Sequence, residues 1–146
     1  MLNKNLRIGI ASDHAGYELK QKLVDYLKET QTQVTDYGAN STESVDYPDF
    51  AQKLVGGIEH LDIDYGILIC GSGIGMSICA NRHKFVRAAL CYNTEAAELS
   101  RKHNDANILV LGAKFSVIED SKNMLDVFFS TKFQGGRHSQ RVGKMS

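Results

Sequence analysis

The sequence has no surplus of either charge. Seventeen Lys and Arg residues offset seventeen Asp and Glu residues, for a formal net charge of zero. A general nucleic-acid coat or polyanion binder carries a basic surplus, so the balance argues against that class. No apolar run approaches the ~18–20 residues that a membrane span needs. The start, Met1-Leu2-Asn3-Lys4-Asn5, leads straight into a strand-like run, and no secretory apolar region is expected there. Cysteines number three, an odd count that does not suggest a disulfide framework. A reducing cytoplasm fits that count best. There is one proline, Pro48, and no tryptophan.

What is present describes a folded chain. Of 146 residues, 42% are hydrophobic and 23% charged, a globular rather than disordered balance. The length suits a single domain over residues 1–146. A chain of this size buries roughly 68–70% of its unfolded surface. The zero net charge hides a segregation. After Asp126 there is no acid, and Lys132, Arg137, Arg141 and Lys144 make that segment +4, against −4 for residues 1–126. Such a run reads either as a solvated basic tail or as an anion clamp.

Apolar runs rich in β-branched residues recur at Leu6–Ala11, Gln33–Tyr37, Tyr65–Cys70, Val86–Cys91 and Asn107–Leu111. Helix-length segments with apolar spacing near 3.6 lie between and after them, near Ala15–Thr30, Phe50–His60, Ile74–Lys84, Thr94–His103 and Val117–Phe129. That alternation predicts an α/β fold: one Rossmann-like, doubly wound domain with a five-stranded parallel sheet and helices on both faces. Such folds bind ligands beyond the carboxyl ends of the strands. Polar and reactive residues gather at those ends: Ser12-Asp13-His14, Gly38, Cys70-Gly71-Ser72-Gly73, Tyr92-Asn93-Thr94 and Gly112-Ala113-Lys114.

The run Cys70-Gly71-Ser72-Gly73-Ile74-Gly75-Met76 follows a strand and opens a helix. Its glycines admit close backbone approach, and the helix start offers unpaired N–H groups to an anion. A dinucleotide fingerprint does not match, because the third glycine comes one residue early and no acid lies ~20 residues on. Cys70 stands where the strand ends and the amide-rich turn begins, a place that stabilises a thiolate. It can serve there as nucleophile or base, or pack as a small hydrophobe. Ser72 is a hydroxyl beside it or a plain turn residue. Cys79 and Cys91 read as structural, with no partners at zinc spacing.

His14 lies on the ligand side of the sheet, whereas His103 and Asn104 read first as the cationic end and cap of a helix. Pro48, after Tyr47, suits a first helical turn. Lys114 is an anion ligand or a solvated cation. In Gly135-Gly136-Arg137-His138-Ser139-Gln140-Arg141 the two arginines, four apart, would share a helical face. Arginine suits bidentate phosphate binding. RNA is the other partner for such a cluster, but no aromatics interleave within it.

Taken in order, six segments resemble the sugar-phosphate isomerase family that holds ribose-5-phosphate isomerase B and the galactose-6-phosphate isomerase subunits. They are Ser12–Gly16, Asp46–Asp49, Gly66–Gly75, Ala80-Asn81, Leu99–Asp105 and Gly135–Arg141, spread over nearly the whole chain. The resemblance implies a cofactor-free, metal-free aldose–ketose isomerase of the pentose phosphate pathway, acting on D-ribose 5-phosphate and D-ribulose 5-phosphate through an enediolate. By similarity Cys70 is the base, Ser72 assists at the sugar oxygens, and His103 opens the furanose ring. The amides of Gly71, Ser72, Gly73, Ile74 and Gly75 would form the anion hole. Asp13, Tyr47 and Asn104 would hold sugar hydroxyls. His14, Arg137, His138 and Arg141 would bind phosphate, and Lys114 keeps the charge where relatives carry Arg. Some relatives place a glutamate base just after the last loop glycine, but here that position is Met76.

The resemblance also implies a homo-oligomer, a dimer or dimers paired into a tetramer, with sites shared between subunits. The basic segment, about residues 132–146, would reach a partner subunit; no nucleic acid or membrane is implied. A six-carbon substrate, allose 6-phosphate or galactose 6-phosphate, is the alternative within the class. A receiver-like signalling module is the alternative outside it. That module needs an Asp where Cys70 stands and an acidic cluster where only Asp13 follows the first strand.

Overall fold

The computed structural model describes residues 4–146. Five strands, β1 (Arg7–Ser12), β2 (Gln33–Asp36), β3 (Tyr65–Cys70), β4 (Ala88–Leu90) and β5 (Ile108–Gly112), form one sheet. Every pairing is parallel and the spatial order is β2-β1-β3-β5-β4. The helices are α1 (Tyr17–Glu29), α2 (Tyr47–Glu59), α3 (Ile74–Ala80), α4 (Thr94–Asn104), α5 (Ile118–Ser130) and α6 (Arg137–Gly143).

A parallel sheet needs cover on both faces, and alternate strand residues supply two apolar layers. Ile8, Ile10, Ile67, Ile69, Leu109 and Leu111 face α1, α4 and α5, where Leu23, Leu27, Ala97 and Phe128 meet them. Leu68, Cys70, Ile108 and Val110 face the other way, onto Leu54 and Val55 of α2 and Met76 of α3. The five-stranded parallel sheet with helices on both faces therefore matches the sequence expectation. Among the described residues no helix is long and apolar enough to cross a membrane.

Boundaries shift for local reasons. Helix α2 starts three residues earlier than the spacing predicts, because Pro48 fits its first turn. Helix α3 ends at Ala80, four residues short of the expected Lys84. There the Asn81 amide both donates to the Ala88 carbonyl (2.9 Å) and accepts from the Ala88 N–H (2.8 Å), turning the chain into β4. Strand β4 is accordingly shorter than Val86–Cys91. The cap of α4 is Asp105 rather than Asn104, in the left-handed region at φ 47. Its carboxylate pairs with Arg101 at 2.9 Å and with Arg87 at 3.5 Å, which fixes that conformation.

The sheet order reverses at β1 and β3, and the carboxyl ends of these neighbours form the crevice that such a switch point creates. Helix α4 leaves β4 at that carboxyl edge and runs back along the sheet. Its end reaches the amino edge, where Arg101 donates to the Ala106 carbonyl and to the Tyr65 hydroxyl at the start of β3.

Candidate active site

The loop after β3 is built around one sulfur. Cys70 is 5% exposed, and the Gly73 N–H donates to its Sγ at 3.2 Å. Gly73 has φ 82, in the left-handed region where a side chain would be strained, and this turns its N–H back toward the strand end. The Ser72 hydroxyl accepts from the Ile74 N–H at 3.1 Å. The loop is braced from β5: Ala113 N–H donates to the Cys70 carbonyl and Lys114 N–H to the Gly71 carbonyl, both at 2.9 Å. Gly112 lies so close that a Cβ there would be 2.4 Å from the Ser72 carbonyl oxygen.

Strand β1 delivers the next residues. Asp13 is buried, its N–H bound to the Ile69 carbonyl (3.2 Å) and its carboxylate to the Gly16 N–H (3.1 Å). His14 Nδ1 accepts from the Val45 N–H at 3.2 Å, which leaves Nε2 as the donor of the neutral ring. Tyr47, in the first turn of α2, lays its ring against Gly75; a Cβ on Gly75 would meet that ring at 2.5 Å. The Lys114 side chain passes over Gly71. Asp13, His14, Tyr47, Cys70, Gly71, Ser72, Gly73, Ile74, Gly75 and Lys114 thus share the carboxyl edge.

The remaining candidates lie at the opposite edge of the same chain. His103 and Asn104 end α4, and α6 packs against them: the rings of His103 and His138 stack with centroids 4.2 Å apart. The Gln134 N–H donates to the Lys102 carbonyl at 3.1 Å, tying the approach to α6 to the same helix end. Arg137 and Arg141, in the first and second turns of α6, are exposed beside this stack. Tyr65 and Cys70 bound β3, so the two edges stand apart by the length of the strand, about 16 Å. Burial, with the neighbouring charges of His103, Arg137 and Arg141, pushes His138 below the ordinary imidazole range.

The other thiols are different. Burial pushes Cys91 up to about 11, so it packs as a neutral group. Cys79 is half-buried on α3, 3.5 Å from the Gln52 amide. Three contributors had no assigned role in the sequence: Val45, which orients His14; Gly112, which seats the loop; and Tyr92, whose hydroxyl donates to the Ser72 carbonyl at 2.9 Å. Only Tyr92 and Gly112 carried a signal there, their place at strand ends.

A thiol at a strand end, one backbone amide turned onto its sulfur, and nearby carboxylate, imidazole and hydroxyl groups share one edge of a Rossmann-like fold, an arrangement suited to proton transfer. The model of the ribose/galactose isomerase family matches residues 8–145, and the chain belongs to that family. It is 40% identical to ribose-5-phosphate isomerase B of Escherichia coli over 136 residues, 93% of this chain and 91% of the other. A solved ribose 5-phosphate isomerase of Thermotoga maritima superposes with TM-score 0.95 at 50% identity, covering 97% of each chain. The ribose-5-phosphate isomerase B of Mycoplasma genitalium, solved with bound ribulose-5-phosphate, superposes with TM-score 0.92 at 39% identity, covering 98% and 95%. The protein is an isomerase, and the receiver-module alternative falls with that.

Proposed function

We propose that the protein interconverts D-ribose 5-phosphate and D-ribulose 5-phosphate through an enediolate, with Cys70 as the base. The observation that carries this reading is the Gly73 N–H aimed at Cys70 Sγ, in the glycine-rich loop that ends β3 at the crevice. The thiolate would take the proton from C2 of the open-chain aldose as electrons move onto the carbonyl oxygen at C1. The proton would return to C1 while the C2 hydroxyl loses its own and becomes the ketone. A proton α to a carbonyl is weakly acidic, so the barrier falls only where the oxyanion is met by fixed donors. The amides from Gly71 to Gly75 would supply these without solvent reorganisation, and Ser72 would move protons between the two sugar oxygens.

Asp13 and Tyr47 would hold sugar hydroxyls, and His14 would donate Nε2–H to phosphate with Lys114 adding charge. His103 as ring opener, Asn104 on the sugar, and Arg137, His138 and Arg141 on phosphate complete the assignment. A remote phosphate supplies binding energy that orients the reacting end. The ~16 Å between the two edges supports a shared site, in which these five residues come from a second copy. The chain is then one domain whose C-terminal segment, about 132–146, serves a partner. Exposed Ile74 and Ile78, one turn apart on α3 beside the loop, suit cover by that copy.

The test is Cys70→Ala assayed on ribose 5-phosphate. Turnover should fall to near background while substrate binding changes modestly; retained turnover would overturn the assignment. A much higher kcat/KM on allose 6-phosphate or galactose 6-phosphate would overturn the pentose.

A further inference from the structure

The peptide group that serves Cys70 is held at its other end by a residue outside the assigned site. The Gly73 N–H that donates to Cys70 Sγ and the Ser72 carbonyl belong to one peptide unit. That carbonyl accepts from the Tyr92 hydroxyl at 2.9 Å. We propose that Tyr92 is a positioning residue: its hydroxyl fixes and polarises the Ser72–Gly73 peptide so that the N–H stays on the Cys70 sulfur.

The surroundings leave this peptide little choice of orientation except through Tyr92. On one side Gly112 abuts the Ser72 carbonyl, with room for no Cβ. On the other, Gly73 is wedged against Leu90 and the Leu111 carbonyl, where an added Cβ would find atoms at 2.5 and 3.0 Å. Tyr92 itself follows β4, and its ring leans on Phe115 with centroids 5.2 Å apart. Phe115 follows β5, so one aromatic pair spans the ends of β4 and β5 and presents the hydroxyl to the loop after β3. A hydrogen bond at the carbonyl strengthens donation from the N–H of the same peptide, because the two dipoles polarise each other. Tyr92 therefore acts on the sulfur through the backbone.

The inference shares with the proposed function only the premise that the Cys70 thiolate governs turnover. Tyr92→Phe separates the hydroxyl from the ring, since the ring contact with Phe115 is kept. The measurement is the rate of Cys70 alkylation by iodoacetamide at neutral pH, followed by peptide mass mapping, with Cys79 as internal reference. Steady-state kinetics on ribose 5-phosphate accompany it. Loss of one hydrogen bond to the loop should slow Cys70 alkylation about three- to tenfold. kcat should fall by a like factor, with KM and the Cys79 rate unchanged. An unchanged Cys70 rate overturns the proposal, as does equal slowing of Cys79 or a change in KM alone. If Cys70→Ala keeps turnover, the base assignment fails, and the alkylation comparison still decides the role of Tyr92.

Discussion

The imidazoles of His103 and His138 lie face to face, their planes within 13° of each other. This stack joins the end of α4 to α6 across 35 residues of sequence and stands beside Arg137 and Arg141. His138, buried in the stack and beside these arginines, tolerates little added positive charge.

Acid should therefore loosen this edge first. The His138 pKa lies below its ordinary 6.5 in the folded chain, through burial and then through its cationic neighbours. The unfolded chain binds that proton more readily, so the stability His138 contributes is full above the ordinary value. It drains away as pH falls through that value and then through the lower, folded one. Thermal unfolding at pH 7.5 and pH 5.5 should show a drop that His138→Gln reduces. Equal drops in both proteins would rule out this source.

Mixing experiments read the division of the site. Cys70→Ala and Arg137→Ala chains, each inactive or weakened alone, should recover activity when unfolded and refolded together. In a two-fold dimer, random mixing restores one intact site in half of the molecules, about a quarter of wild-type activity. No recovery would place both residues in sites formed by one chain.

Gly75→Ala probes the seat of Tyr47. The added methyl would sit 2.5 Å from the phenol ring, which is partly exposed and free to swing off the loop. The fold should survive with little change in melting temperature, while KM for the sugar phosphate rises several-fold. An unchanged KM would remove Tyr47 from substrate binding.

Much of this molecule could be read from residue order. The β-branched runs marked all five strands, most clearly β3 and β5, because buried parallel strands are apolar on both faces, whereas edge strand β2 is largely exposed. The glycine loop was visible because Cys70 stood where a strand gives way to a helix. The insertion of β5 between β3 and β4 was not, since pairing partners far apart in sequence leave no local mark. The same holds for His103 against His138. Helix α4 was predicted correctly, yet its direction decided that His103 stands a strand's length from Cys70 rather than beside it. Asp105 displaced Asn104 as cap through contacts with Arg101 and Arg87, and an arginine eighteen residues upstream cannot be weighed by cap preferences alone.

The place of β5 also sets a schedule. During synthesis β1 to β4 emerge first, but β3 and β4 have no shared edge until the last strand arrives between them. The carbonyls of Cys70 and Gly71 then gain the N–H groups of Ala113 and Lys114, and Gly112 closes under Ser72. A nascent chain halted before Gly112 would carry the cysteine without its cradle. The cradle of Cys70 is in this sense completed late on the ribosome, some forty residues after the thiol itself is made.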